Sequence, residues 1–199
     1  MADTKDGREK QARNADRRQR ERDIAAEMDR WDDAEPPVAP GELAYFEADL
    51  ESVAFPATGR EIVETVGDRE IEATDGSHAV ADLVPDADGE TFTSPEAVRV
   101  RVQRPSVARA MKRVVEAVDA LPYASLDDSQ RDAYARTFRE LEAISPTDED
   151  EGIRAIADWI VERTEEKEAA PGSRDVRRRA AEFCRENGYE VRNDEWLGV

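Results

Sequence analysis

Six basic side chains fall within fifteen positions of this chain, Arg99, Arg101, Arg104, Arg109, Lys112 and Arg113, and no carboxylate lies between Glu96 and Glu116. A guanidinium offers a rigid fork of N–H donors that matches a carboxylate or a phosphate, so the stretch is built to hold oxyanions. Three partners fit that chemistry: the acid-rich segment 42–98 of the same chain, an acidic protein surface, or the phosphates of RNA or the ribosome. No aromatic residue stands between Arg99 and Arg113, so bases have no stacking platform there. Phosphate binding by counterion release also falls steeply with salt. Arg174, Arg177, Arg178 and Arg179 form a second cluster, diluted by Asp175 and Glu182.

The other reactive residue types are sparse. His78 is the only imidazole and stands next to an expected helix cap, which reads as a solvated surface histidine. General-base work would need a nucleophile or an orienting carboxylate beside it. Cys184 adjoins Phe183 on the inward face of an expected helix, the place of a small buried hydrophobe. Asp86-Ala87-Asp88-Gly89-Glu90 resembles a calcium loop, but with Gly89 at the sixth position Val84 and Pro95 fall where carboxylates are needed. Asp148-Glu149-Asp150-Glu151 reads as acidic complement to a helix dipole. Phosphate-loop, dinucleotide and zinc-protease motifs are all missing. No metal, cofactor or catalytic group is therefore expected. Trp196 and Leu197 place apolar groups near the chain end, either docked on the core or serving as a short anchor for another protein.

Composition frames these groups. The 199 residues carry 48 acidic and 29 basic side chains, a net charge of −19, with four lysines and 25 arginines. Such a carboxylate excess suits concentrated salt, where a Debye length of ~3 Å at 1 M screens self-repulsion. Most of the negative charge sits in residues 24–98, where 20 acids face three bases. A single cysteine excludes an internal disulfide or thiolate zinc cage. The charged start and the lack of a long apolar run lead us to expect a cytoplasmic protein with no secretory signal and no membrane span.

The elements that must carry these residues are mostly helices. Residues 1–41 read as a charged extension, helical or disordered, ending in a linker broken by Pro36-Pro37 and Pro40-Gly41. A small domain with a long helix follows over 42–121, and a helical region over 122–199. Thr58 and Glu61 form a capping-box pattern before Ile62, Val63 and Val66. Ile71 and Ala73 alternate ahead of an Asp75-Gly76 turn, and Ser77 is expected to cap a short helix. Val98 to Val102 fits both periods; the Ser94-Pro95-Glu96 start signal favours helix over strand. Val107, Ala110, Met111, Val114, Val115, Val118 and Leu121 make the clearest helical stripe. Ser125 and Thr147 are expected to open two further helices, and Asn187-Gly188 to close the last. The fold class is mainly α: a small helical domain with room for a short β-hairpin, then three to four amphipathic helices.

Phe55-Pro56-Ala57-Thr58, Glu61-Ile62-Val63, Gly67-Asp68, Asp75-Gly76, Val80-Ala81-Asp82-Leu83 and Thr93-Ser94-Pro95-Glu96-Ala97-Val98 together resemble a known pattern. It is that of the Pro-Ala-Thr … Ser-Pro-Glu-x-Val domain of unknown function found in halophilic archaea, itself similar to a short bacterial helical domain. The resemblance spans residues 50–103, and the Arg192-Asn193-Asp194-Glu195-Trp196-Leu197 tail is similar to that of longer members. Its motif residues are caps, turns and core positions, so it implies fold and lineage and carries over no site residue. The shortest members lack a typical counterpart of Arg99–Arg113. The functional expectation is a non-catalytic interaction or adaptor protein with an unidentified protein partner; the alternative is an RNA- or ribosome-associated factor using the basic stretch.

Overall fold

The computed structural model describes residues 35–144 and 150–189. The chain divides into two units, Met1–Glu35 and Pro36–Val199, and the architecture below is that of the second. It is mainly α, with eight α-helices and two short antiparallel strand pairs among the described residues.

Pro40 opens α1 (Pro40–Asp49) from its first turn, where its fixed φ suits a helix and its missing N–H costs nothing. Leu43, Phe46 and, in the following single turn, Leu50 are buried on one side. Strand β1 (Ala57–Thr58) runs into α2 (Gly59–Val66), whose capping box is complete. The Glu61 amide donates to Thr58 Oγ1 at 3.3 Å, and the Thr58 amide donates to Glu61 Oε2 at 2.7 Å. Gly59 is required here: a Cβ would stand 2.2 Å from the Pro85 carbonyl oxygen. Strands β2 (Glu70–Ala73) and β3 (Gly76–Ala79) form a hairpin in register Glu70↔Ala79, turned by Gly76 at φ 137°. A single turn, α3 (Val80–Leu83), leads to β4 (Thr91–Phe92), which pairs back with β1. Ser94 then caps α4 (Pro95–Val102), accepting from the Ala97 amide at 3.3 Å.

The remaining helices are α5 (Pro105–Asp119), α6 (Asp128–Ile144), α7 (Glu151–Lys167) and α8 (Ser173–Glu186). Two hydrophobic cores result. One gathers Phe46, Leu50, Ile62, Ile71, Leu83 and Val102 under the hairpin; the other gathers Met111, Tyr134, Phe138, Ile156, Ile160 and Cys184 inside the bundle. Helix α5 belongs to both, giving Ala108 to the first and the Val107–Val118 stripe to the second.

Several local expectations change. The Pro-rich stretch expected as linker is already folded: Val38 is buried and its amide donates to the Gln103 carbonyl at 3.4 Å. Ser77 is no helix cap. It lies in β3 and its hydroxyl donates to Glu70 Oε2 at 2.6 Å, because the hairpin ladder extends through Ala79 before the chain turns helical. Ser125 is likewise displaced as a cap by Asp127, whose side chain accepts from the Gln130 amide at 2.8 Å. The Ser94 cap prevails over the period-two pattern of Val98–Val102, which is helix. The side chain of Ile144, and Pro146, Thr147, Asp148, Glu149, Val191, Trp196 and Leu197, lie outside the described residues.

Candidate functional site

Helices α4 and α5 carry the basic stretch, and each of its six cations meets a carboxylate of the same chain. Arg99 Nε lies 3.5 Å from Glu47 of α1, with Glu96 at 3.9 Å. Arg101 pairs with Glu90 and lies over the Phe92 ring at 5.7 Å, tying α4 to β4. Arg104 Nη1 lies 2.6 Å from Glu142 Oε2, joining the start of α5 to α6. Arg109 lies 3.7 Å from Asp75 in the hairpin turn. Lys112 pairs with Glu116 one turn along, and also donates to the Val84 carbonyl at 3.3 Å. Arg113 pairs with Asp158 of α7. Three of these cations thus find partners within 42–98, and three reach acids beyond it.

Depth separates the six. The Arg101 and Arg104 side chains are 14% and 9% exposed, whereas those of Arg109 and Arg113 are 46% and 50% exposed. Burial raises the carboxyl pKa of Glu142 above its ordinary value; Arg104 pulls it back, and Asp150 and Asp75 push it up again. Glu90 Oε2 and Arg101 Nη1 are buried without a protein hydrogen-bond partner.

Where Arg109 and Arg113 emerge, α5 and α7 enclose a cleft of about 330 Å³, lined also by Ser106, Asp150 and Arg154 over a floor of Ala110, Ile153 and Ala157. The Ser106 hydroxyl donates to Asp150 Oδ2. Arg109 and Arg113 share a helix face through their i,i+4 spacing. Arg154 was not singled out from sequence, since only the packing of α7 on α5 brings it here.

His78 is not the solvated histidine expected. Its side chain is 10% exposed and its Nε2 lies 3.1 Å from Asp75 Oδ1, an acid that also faces Arg109. Cys184 is wholly buried among the bundle residues, as expected. Asp86 and Asp88 of the calcium-like loop face Arg60 at 3.2 Å each, so a guanidinium occupies the charge that an ion would have met. No group of three or more potential metal ligands occurs among the described residues. No helix among them is long and apolar enough to cross a membrane.

A helical, acid-rich body with the cations of its basic stretch held by its own carboxylates fits a halophilic acidic protein. Residues 37–114 match the family of unknown function DUF5789, and residues 1–56 match the halobacterial acidic protein family. Both matches bear out the resemblance to an uncharacterised haloarchaeal family. No curated protein and no solved structure matches the chain.

Proposed function

We propose that this chain is a non-catalytic interaction protein, an adaptor of a halophilic cytoplasm that engages a protein partner through its helical surfaces. The observation that carries this reading is the exposure of two large apolar side chains, Tyr45 (71%) on α1 and Val100 (52%) on α4, with the Arg99–Glu47 pair joining the two helices. Aromatic and arginine side chains are enriched where proteins meet. The Arg99 and Glu47 side chains stay partly exposed although the Arg99 Nε atom is itself buried, so the remaining Arg99 donors and the Glu47 carboxylate are within reach of an incoming partner. The full burial of Cys184 supports a role without thiol chemistry.

The RNA alternative draws less support. Each cation of the Arg99–Arg113 stretch already faces a carboxylate, which cancels the field that a phosphate backbone requires. The test is recovery of partners from lysate at native salt, with and without nuclease, using the full chain and its Y45S/V100S variant. A protein recovered regardless of nuclease and lost with the variant supports the adaptor. Recovery abolished by nuclease, or unchanged by the variant, overturns it.

A further inference from the structure

The cleft between α5 and α7 has a composition unlike the rest of a chain of net charge −19. Among the described residues, three guanidinium groups, Arg109, Arg113 and Arg154, line it against one carboxylate, Asp150. Its floor is apolar, with Ala110, Ile153 and Ala157 at 5%, 2% and 0% exposed. A volume near 330 Å³ exceeds what a bare inorganic ion fills and reaches the lower range for small-molecule sites.

All three cations line the same cleft. Arg109 and Arg113 stand one helical turn apart on α5, and Arg154 comes from the facing helix. Arg109 lies at a long 3.7 Å from Asp75, and Arg113 meets Asp158 while half its side chain stays exposed. Each guanidinium has five N–H donors, so one carboxylate contact leaves others to offer. Guanidinium forks suit the oxygens of a tetrahedral oxyanion.

We propose that this cleft binds a small organic phosphate, its phosphate group held by Arg109, Arg113 and Arg154 and its carbon part resting on Ala110, Ile153 and Ala157. Molar salt leaves a Debye length of only ~3 Å, so recognition depends on direct hydrogen-bonded contact rather than long-range attraction. The apolar floor, with only small areas of Ala110 and Ile153 open to solvent, supplies shape and van der Waals contact that salt does not screen. This site is separate from Tyr45 and Val100 and stands or falls independently of the adaptor reading.

The test is thermal unfolding of the full chain in 2 M KCl with increasing phenyl phosphate, for the wild type and for Arg113→Gln and Arg154→Gln. Inorganic phosphate runs in parallel, because it stabilises folded proteins generally by exclusion from their surface. A saturable rise in Tm with phenyl phosphate is expected, about 5–10 °C at a hundredfold excess over the dissociation constant. Inorganic phosphate alone should give only a weaker, non-saturating rise. Each variant should weaken phenyl phosphate binding at least tenfold while its own circular dichroism stays that of the wild type. Both substitutions are at exposed positions, and two variants guard against one that misfolds. No saturable rise, or equal rises in wild type and both variants, would overturn the proposal. Saturable binding of inorganic phosphate as tight as that of phenyl phosphate would overturn the role of the floor.

Discussion

Replacing Arg104 with Met tests whether a buried ion pair works as inferred. Arg104 and Glu142 lie 2.6 Å apart with side chains 9% and 17% exposed, and they join the start of α5 to α6. Removing one partner of a buried pair strands the other charge, at about 3–5 kcal/mol. At roughly 2–4 °C per kcal/mol for a chain of this size, R104M should melt about 6–20 °C lower. Glu142→Gln should also destabilise, by about 3–5 kcal/mol, because it takes the Glu142 carboxylate from the buried Arg104 guanidinium, which cannot give up its proton. Glu142 differs from Arg104 in that it can neutralise itself: burial raises its pKa despite Arg104, so folding favours its neutral form. The pH dependence follows in sign. A raised folded pKa means that the native state holds the proton more tightly than the unfolded chain. Stability from Glu142 is therefore complete below the ordinary value of 4.5 and fades as pH rises through the raised one. Met at position 104 removes the cation that pulled this pKa down, so the deficit of R104M against wild type should shrink between pH 7.5 and pH 5. Denaturant unfolding in molar KCl at both pH values, with the E142Q/R104M double variant closing a cycle, measures it. An R104M deficit unchanged with pH would refute the reasoning.

Two further expectations concern the backbone and the solvent. Gly59→Ala should destabilise by about 1–3 kcal/mol, because its methyl would meet the Pro85 carbonyl oxygen at 2.2 Å and only backbone movement could relieve it; a chemical melt with unchanged midpoint would contradict that geometry. Dilution to about 50 mM salt should lower the melting temperature by at least about 10 °C, as the −19 net charge loses its screening; an unchanged cooperative melt by circular dichroism would show that the acidity is not tuned to brine.

Local signals made much of this fold legible. The Thr58–Glu61 capping box, the Ser94-Pro95 start and the apolar stripe of α5 each depend on residues within one or two turns, and each forms as read. What escaped depends on distant residues. The pairing of Ala57 with Phe92 joins strands of two residues each, too short for any alternation to show. Ser77 and His78 belong to a polar, half-exposed strand, so no apolar face marks β3. The site divides in the same way. The concentration of Arg99, Arg101, Arg104, Arg109, Lys112 and Arg113 was plain. Their partners Glu90, Glu142 and Asp158 were not singled out, because carboxylates are too common in this chain for any one to stand out. Arg154 reaches the cleft only through helix packing.

The near-absence of lysine acquires a physical reason from these pairs. A buried cation must keep its charge, satisfy several acceptors in a fixed plane and shed little hydration, and guanidinium meets those demands better than ammonium. Arg101 against Glu90 and Arg104 against Glu142 sit where salt ions hardly reach, so they brace the fold at any ionic strength. Arg109 and Arg113 sit where brine screens their bonds to Asp75 and Asp158, which leaves those bonds weak and exchangeable. One basic stretch therefore serves two ends by depth alone. Its inner arginines hold α4 and α5 in place, and that placement presents its outer arginines, with Arg154, to whatever anion enters between α5 and α7.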